Sequence, residues 1–294
     1  MNADFLSNYL MPIALGTMMI GMGLSLKVSD FTHLLKSPKT IFIGILCQMI
    51  GLPLLGLFIA SSFPMSNTYS AGIMVLVSCA GAVVSGLLTQ MVKGDTALSI
   101  SMTAISMLIG MITIPILINF SISHFLQNKL YVELDLLSTS IRLLSITIIP
   151  VIPVIIGMLF RHLQAKLSLQ LLPNVTRVSN LLLVTIILTT MINYRHEIMH
   201  ASAVLIIPLF MLNILAMSMG YAAAYFAKFD NKVAKTLVIE VGLQNSATGI
   251  FIASVLLNNS LLALPAIIYT GIAFINFAIF MLILRTHYGF AQRT

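Results

Sequence analysis

The feature that most constrains this chain is a succession of apolar runs, each about as long as a bilayer is thick. Nine can be read between charged or turn-rich breaks: roughly 7–26, 40–62, 70–92, 96–122, 138–160, 180–195, 202–227, 236–257 and 263–284. A helix needs about 20 mostly apolar residues to cross the hydrocarbon core. Strand-like alternation is absent, which argues against a membrane β-barrel. Composition closes the other routes. Only 8% of the 294 residues are charged and 59% are hydrophobic, with a mean hydropathy of +1.05, whereas soluble domains carry about 25% charged residues. A soluble enzyme, a disordered chain and a nucleic-acid-binding module are excluded. Cys47 and Cys79 both lie inside apolar runs, so a disulfide scaffold is excluded too. The expectation is an all-α polytopic membrane protein forming one domain over 1–294.

The breaks set the topology. Numbered alternately, those on one side hold Lys27, Lys36, Lys39, Lys93, Arg161, Lys166, Arg177, Lys228, Lys232, Lys235, Arg285 and Arg293, and those on the other hold Lys129 and Arg195, with Arg142 near the outer end of the fifth run. The positive-inside rule puts the twelve in the cytoplasm. The N-terminus is then outside and the C-terminus inside, which requires an odd number of helices. No basic region precedes the first run and no small-residue cleavage site follows it, so the first helix is expected to be retained. Basic residues at the breaks read as a face meeting anionic lipid.

Seven of the eight acidic residues fall in breaks or tails, and Glu240 alone lies within an apolar run. An ionised carboxylate there costs at least a few kcal/mol and must be neutralised, paired or bound to a cation. It opens the segment Glu240-Val241-Gly242-Leu243-Gln244-Asn245-Ser246-Ala247-Thr248-Gly249. Glycines and polar side chains at membrane depth mark a place where a helix can unwind and expose its carbonyls. Carboxylate, amide and main-chain oxygens are what a hard cation such as Na⁺ needs in place of water. The alternative is a protonated glutamic acid bonded to a neighbouring helix.

The third run holds a weaker version, Ser78-Cys79-Ala80-Gly81-Ala82-Val83-Val84-Ser85-Gly86, which also reads as close helix packing. Runs 1–4 and 6–9 enter the membrane from opposite sides, and the third run of each half is the interrupted one. Such a pair in matching positions of inverted halves points to a transporter's central site. Gln48 is an amide inside the second run, and Ser99 and Thr103 share one helix face at i, i+4. Both features also suit simple interhelical or intrahelical bonding. Asn213 is read only that way, and the histidines and nineteen methionines carry no metal-ligand pattern.

Two motifs are more specific. Gly21-Met22-Gly23-Leu24-Ser25-Leu26-Lys27, continuing through Ser29-Asp30-Phe31 to Pro38-Lys39, and Glu240-Val241-Gly242-Leu243-Gln244-Asn245-Ser246 together resemble signatures of the bile acid:sodium symporter family. The resemblance runs over essentially the whole chain. It implies two inverted repeats with two crossing broken helices, in the nine-helix form. The panel domain would be the helices near 7–26, 138–160 and 180–195. The core would be those near 40–62, 70–92, 96–122, 202–227, 236–257 and 263–284.

The resemblance also implies two Na⁺ sites. One maps to Gln48, Glu240, Val241, Leu243 and Gln244. The other maps to Ser85, Ser99, Thr103 and Glu240, with Gly86 where the family usually has Asn. Ala80-Gly81-Ala82 replaces its usual Pro-Gly-Gly, and Val83 replaces a common Thr. One side-chain ligand of the second site is therefore missing. Asn245 and Ser246 are the residues expected to touch substrate, where helix N-termini favour negative charge.

The implied function is sodium-coupled symport of an organic anion, bile-acid-like or a small carboxylate, by alternating access in a bacterial inner membrane. Partners are the anion, sodium ions and the bilayer, with no nucleic acid and no obligate protein. Proton coupling, uncoupled transport and a non-transporting sensor are the alternatives. An intramembrane hydrolase built on Ser85 or Ser246 lacks a histidine base within a helix, so no enzyme is expected.

Overall fold

The computed structural model describes residues 11–25, 38–82, 84–126, 152–193, 195–257 and 259–291. Every regular element among them is helical. In chain order these are α1 (Met11–Ser25), α2 (Pro38–Ser62), α3 (Asn67–Ser78), α4 (Ser85–Met91), α5 (Thr96–Phe125), α6 (Ile152–Leu163), α7 (Ala165–Asn193), α8 (Arg195–Phe226), α9 (Asn231–Gly242), α10 (Ser246–Phe251) and α11 (Leu264–Ala291). Three are long and apolar enough to span a membrane by themselves: α2, α8 over Ala201–Phe226, and Ser260–Arg285, in which a short 3₁₀ turn leads into α11. α5 is long and apolar enough only when its halves Thr96–Gly110 and Ile112–Phe125, bent by 58°, are taken together. Pro115 lies four residues past Met111, where it removes a helical hydrogen bond and crowds that carbonyl.

Most of the nine runs coincide with helix. The sixth needs correction. Its helix, α7, begins at Ala165, about four turns before the apolar stretch at 180–195, so Lys166 and Arg177 ride on a helix instead of occupying a break. The fifth run is described only from Ile152. Val83, Lys27, Ser29, Asp30 and Phe31 lie outside the described residues.

Polar residues start the elements. Ser66, Asp95, Asp230 and Asn245 each accept a bond from the main-chain N–H three residues on, at Tyr69, Leu98, Val233 and Thr248. Such caps satisfy donors that a helix start leaves orphaned. Glycine sets the close approaches. A Cβ on Gly220 of α8 would fall 2.4 Å from the Leu237 carbonyl oxygen of α9, and one on Gly23 of α1 would fall 2.2 Å from the Val154 oxygen of α6. Main chain meets main chain at both places, as small residues allow in membrane packing.

Three of the basic breaks lie close together. Lys39 Nζ donates to the Ala227 carbonyl (3.4 Å) and lies over the Phe229 ring. Lys235 Nζ donates to the Val92 carbonyl (3.2 Å), just past α4. Three breaks assigned to one side by charge are thus neighbours in space.

Candidate functional site

The two interrupted runs do break, and the breaks meet. The first unwinds between α3 and α4, where Gly81 takes a φ of +83°, a conformation that glycine adopts without strain. The second unwinds after Gly242, and Leu243 is extended. Ala80 and Gln244 pair as an isolated antiparallel bridge, and the Asn245 N–H donates to the Cys79 carbonyl at 2.8 Å. Two helices that each lose their hydrogen bonds mid-membrane recover some of them from one another.

Glu240 lies in the last turn of α9 and is fully buried. Among the described side chains it is the only acidic one that is buried. The groups that bond its carboxylate are hydroxyls. Ser99 Oγ donates to Oε1, and Thr103 Oγ1 donates to Oε2 at 3.2 Å. Ser85 Oγ stands 3.2 Å from Thr103 Oγ1 and 3.5 Å from Ser99 Oγ. Ser85, Ser99, Thr103 and Glu240 are therefore brought together, from α4, α5 and α9. Gly86 borders the cluster. A Cβ there would stand 3.9 Å from Ser99 Oγ and 3.7 Å from Ile100 Cγ1, so there is room where the side chain is missing.

The second group forms around the end of α9. Gln48 sits in a π turn, Cys47–Gly51, inside α2. Pro53 follows and has no N–H for Met49, and the wider turn lets the Leu52 N–H reach the Cys47 carbonyl instead. Gln48 Nε2 donates to the Glu240 carbonyl at 2.8 Å, and Gln48 Oε1 accepts from Ser106 Oγ at 2.6 Å. Gln244 Nε2 donates to the Val241 carbonyl at 2.9 Å, while its Oε1 is buried with no partner among the described residues. Gln48, Glu240, Val241 and Gln244 thus share one locality, and Leu243 follows at the unwound turn.

The terminal carbonyls of α9 can be followed one by one. A helix leaves its last four C=O groups without intrahelical partners. Ile239 O accepts from the Leu243 N–H, Glu240 O from Gln48, and Val241 O from Gln244. Gly242 O accepts twice, from Asn213 Nδ2 (2.7 Å) and Tyr269 OH (2.8 Å).

Some of these partners escape sequence reading. Ser106, Tyr269 and Asn276 are absent from the expected site, and Asn213 is more than a local bond. Asn276, a lone amide inside the last run, was a signal of the same kind as Gln48. The expected substrate contacts look different from each other. Asn245 is buried and its side-chain oxygen caps α10, whereas Ser246 is half-buried. The histidine argument needs correction, because His124, His162, His196, His200 and His287 all lie on helices. His124 stacks on Phe120. Among the described residues no cluster of His, Cys, Asp and Glu could hold a metal ion of the transition kind.

A buried carboxylate, a ring of hydroxyls and an orphaned amide oxygen make an oxygen-only donor set, the kind that suits an alkali cation. The profile of the sodium bile acid symporter family matches residues 12–201. The chain belongs to this family. A rice (Oryza sativa) protein named as a probable chloroplastic sodium/metabolite cotransporter is 29% identical over 263 residues, covering 89% of this chain and 60% of that protein. An uncharacterized sodium-dependent transporter of Bacillus subtilis is 28% identical, covering 85% of this chain and 75% of its own length. The ileal sodium/bile acid cotransporter of Oryctolagus cuniculus is 27% identical, covering 80% and 66%. The chain is a multi-pass membrane protein of a transporter family and not an enzyme.

Proposed function

We propose that this chain is a secondary transporter that moves an organic anion together with sodium, and that Glu240 is its coupling residue. The observation that supports this most is a wholly buried carboxylate set among Ser99, Thr103 and Ser85 at the crossing of two broken helices. An ionised carboxylate at membrane depth needs a counter-charge, and a sodium ion held there would supply it. One ion would use Glu240 with the three hydroxyls, at a site weakened by the side chain that Gly86 lacks, so that it contributes little to coupling in the wild type. A second would use Gln48, Gln244, Glu240 and the carbonyls of Val241 and Leu243. The unpartnered Gln244 Oε1 fits that role, since a buried acceptor without a partner costs about 1–3 kcal/mol.

The substrate, a bile-acid-like anion or a small carboxylate, would meet Asn245 and Ser246 beside the crossing. Alternating access would come from a core of α2–α5 and α8–α11 moving against a panel of α1, α6 and α7. The side that holds Lys39, Lys93, Lys228 and Lys235 would face the cytoplasm of a bacterial cell. Uptake of labelled organic acids into proteoliposomes tests the reading. Uptake that follows an inward sodium gradient is expected, and uptake indifferent to sodium refutes it. A proton-coupled carrier is the second reading, because the Ser99–Glu240 hydrogen bond also suits a protonated acid. An imposed pH gradient driving uptake without sodium would favour it.

A further inference from the structure

The coupling-ion reading leaves unexplained the most heavily bonded carbonyl at the crossing. Gly242 ends α9 and lies between Val241 and Leu243, whose carbonyls are proposed as ligands. Its own oxygen takes no part in that set. Both of its lone pairs are used, by Asn213 Nδ2 from α8 and Tyr269 OH from α11. Asn213 Nδ2 also donates to Tyr269 OH at 2.9 Å, so the three groups close a triangle.

A fourth residue gives the triangle a direction. Asn276 Nδ2, two turns along α11 from Tyr269, donates to Asn213 Oδ1 at 2.8 Å. An asparagine whose oxygen is occupied must present its N–H groups on the other side, and here that side is Gly242. Asn276 does this while leaving its own Oδ1 buried without a partner among the described residues. An apolar residue at 276 would avoid that cost. Asn213, Tyr269 and Asn276 are each buried, and no described group in the chain of bonds is charged.

We propose that Asn213, Tyr269 and Asn276 are positioning residues for the coupling-ion site. They fix the plane of the Gly242–Leu243 peptide, and through it the carbonyls on either side. A carbonyl that turns toward the ion in one molecule and away in the next is a poor ligand. Pinning its neighbour from two flanking helices holds the set in register before the ion arrives. The inference rests on the proposed sodium coupling and adds to it three residues that need never touch the ion.

The test uses purified full-length protein in proteoliposomes and in detergent. Tyr269→Phe keeps the ring and removes one hydroxyl. Asn276→Leu keeps the volume and removes the directing donor. Leu205→Ala, a fully buried site on the same helix as Asn213, serves as a control that loosens packing without touching the triangle. Tyr269→Phe and Asn276→Leu should each raise the sodium concentration for half-maximal uptake by about fivefold to tenfold, the scale of one buried hydrogen bond. The maximal rate at saturating sodium should stay within about twofold of wild type. Leu205→Ala should lower thermal stability and leave sodium half-saturation unchanged. If Tyr269→Phe lowers stability but keeps the wild-type half-saturation, the residues only pack and the proposal is overturned. If Asn276→Leu does not fold, Tyr269→Phe decides alone. A wild-type protein with no sodium response in either assay would overturn the coupling reading itself, and this inference with it.

Discussion

Glu240→Gln is the sharpest perturbation the site allows. The substitution keeps the shape and an acceptor for Ser99, and it removes the charge. Two unit charges about 4 Å apart attract by about 4 kcal/mol at an effective dielectric of about 20, roughly a thousandfold in affinity. The ion-free protein moves the other way. Its carboxylate is fully buried and bonded by neutral hydroxyls, so desolvation of the charge is offset only in part, and removing a buried uncompensated charge is neutral or stabilising. Thermal unfolding in detergent, over a series of NaCl concentrations with choline chloride holding ionic strength, reads both effects. Wild type should gain stability with sodium, by about 2.7 kcal/mol when the ion reaches a hundred times its Kd. Glu240→Gln should start at or above wild type in choline and stay flat. Glu240→Ala should be equally flat but start lower, because it also leaves a cavity. A glutamine variant that keeps the wild-type sodium slope would show that the carboxylate does not hold the ion.

Other outcomes follow from the same geometry. Gln48→Ala and Gln244→Ala, which loosen adjacent carbonyls at 240 and 241, should be non-additive in sodium affinity by about 0.5–3 kcal/mol in a double-mutant cycle, whereas clean additivity would separate the two amides. Wild type should show a sodium Hill coefficient near 1 in uptake, and Gly86→Asn, for which the cluster has space, should steepen it toward about 2. A wild-type coefficient already near that upper value, unmoved by the substitution, would make the missing amide immaterial. Gly220→Ala would press its Cβ onto the Leu237 carbonyl, 2.4 Å away, and should cost about 1–3 kcal/mol in stability. It should also weaken sodium binding, because the helix that must move carries Glu240.

What sequence alone could reach depended on how local the signal was. Glu240 stood out because a carboxylate in an apolar run has few bland explanations, and its neighbours Gly242, Gln244 and Asn245 announced the break. Ser85, Ser99 and Thr103 were legible through a resemblance and not through physics, since hydroxyls in membrane helices usually bond their own backbone. Ser101 does so, donating to the Ala97 carbonyl at 2.8 Å. Ser106 instead meets Gln48, a contact made across 58 residues of chain. The long start of α7 was invisible to a hydropathy reading, because Lys166, Gln170 and Arg177 interrupt the apolar count without interrupting the helix. Tyr269 was hidden by its own character, an apolar ring whose hydroxyl becomes significant only once Gly242 is placed beside it.

The two breaks solve one problem with different materials, and the difference bears on what each can do. At the first, the chain turns through Gly81 and re-enters a helix at Ser85, whose hydroxyl bonds back to the Ala82 carbonyl at 2.8 Å. Apart from the bridge to Gln244 and the Asn245 bond to Cys79, the bonds given for this break are local, and what it offers the centre is hydroxyl oxygen. At the second, α9 ends with three carbonyls that no main-chain N–H reaches, and side chains from α2, α8, α11 and the break itself must satisfy them. Bonds from side-chain amides can be exchanged for an ion without unwinding anything. On the proposed coupling, the bonds of Gln48 and Gln244 at the second break are the ones an ion would replace, while Asn213 and Tyr269 keep the Gly242 carbonyl in place between them.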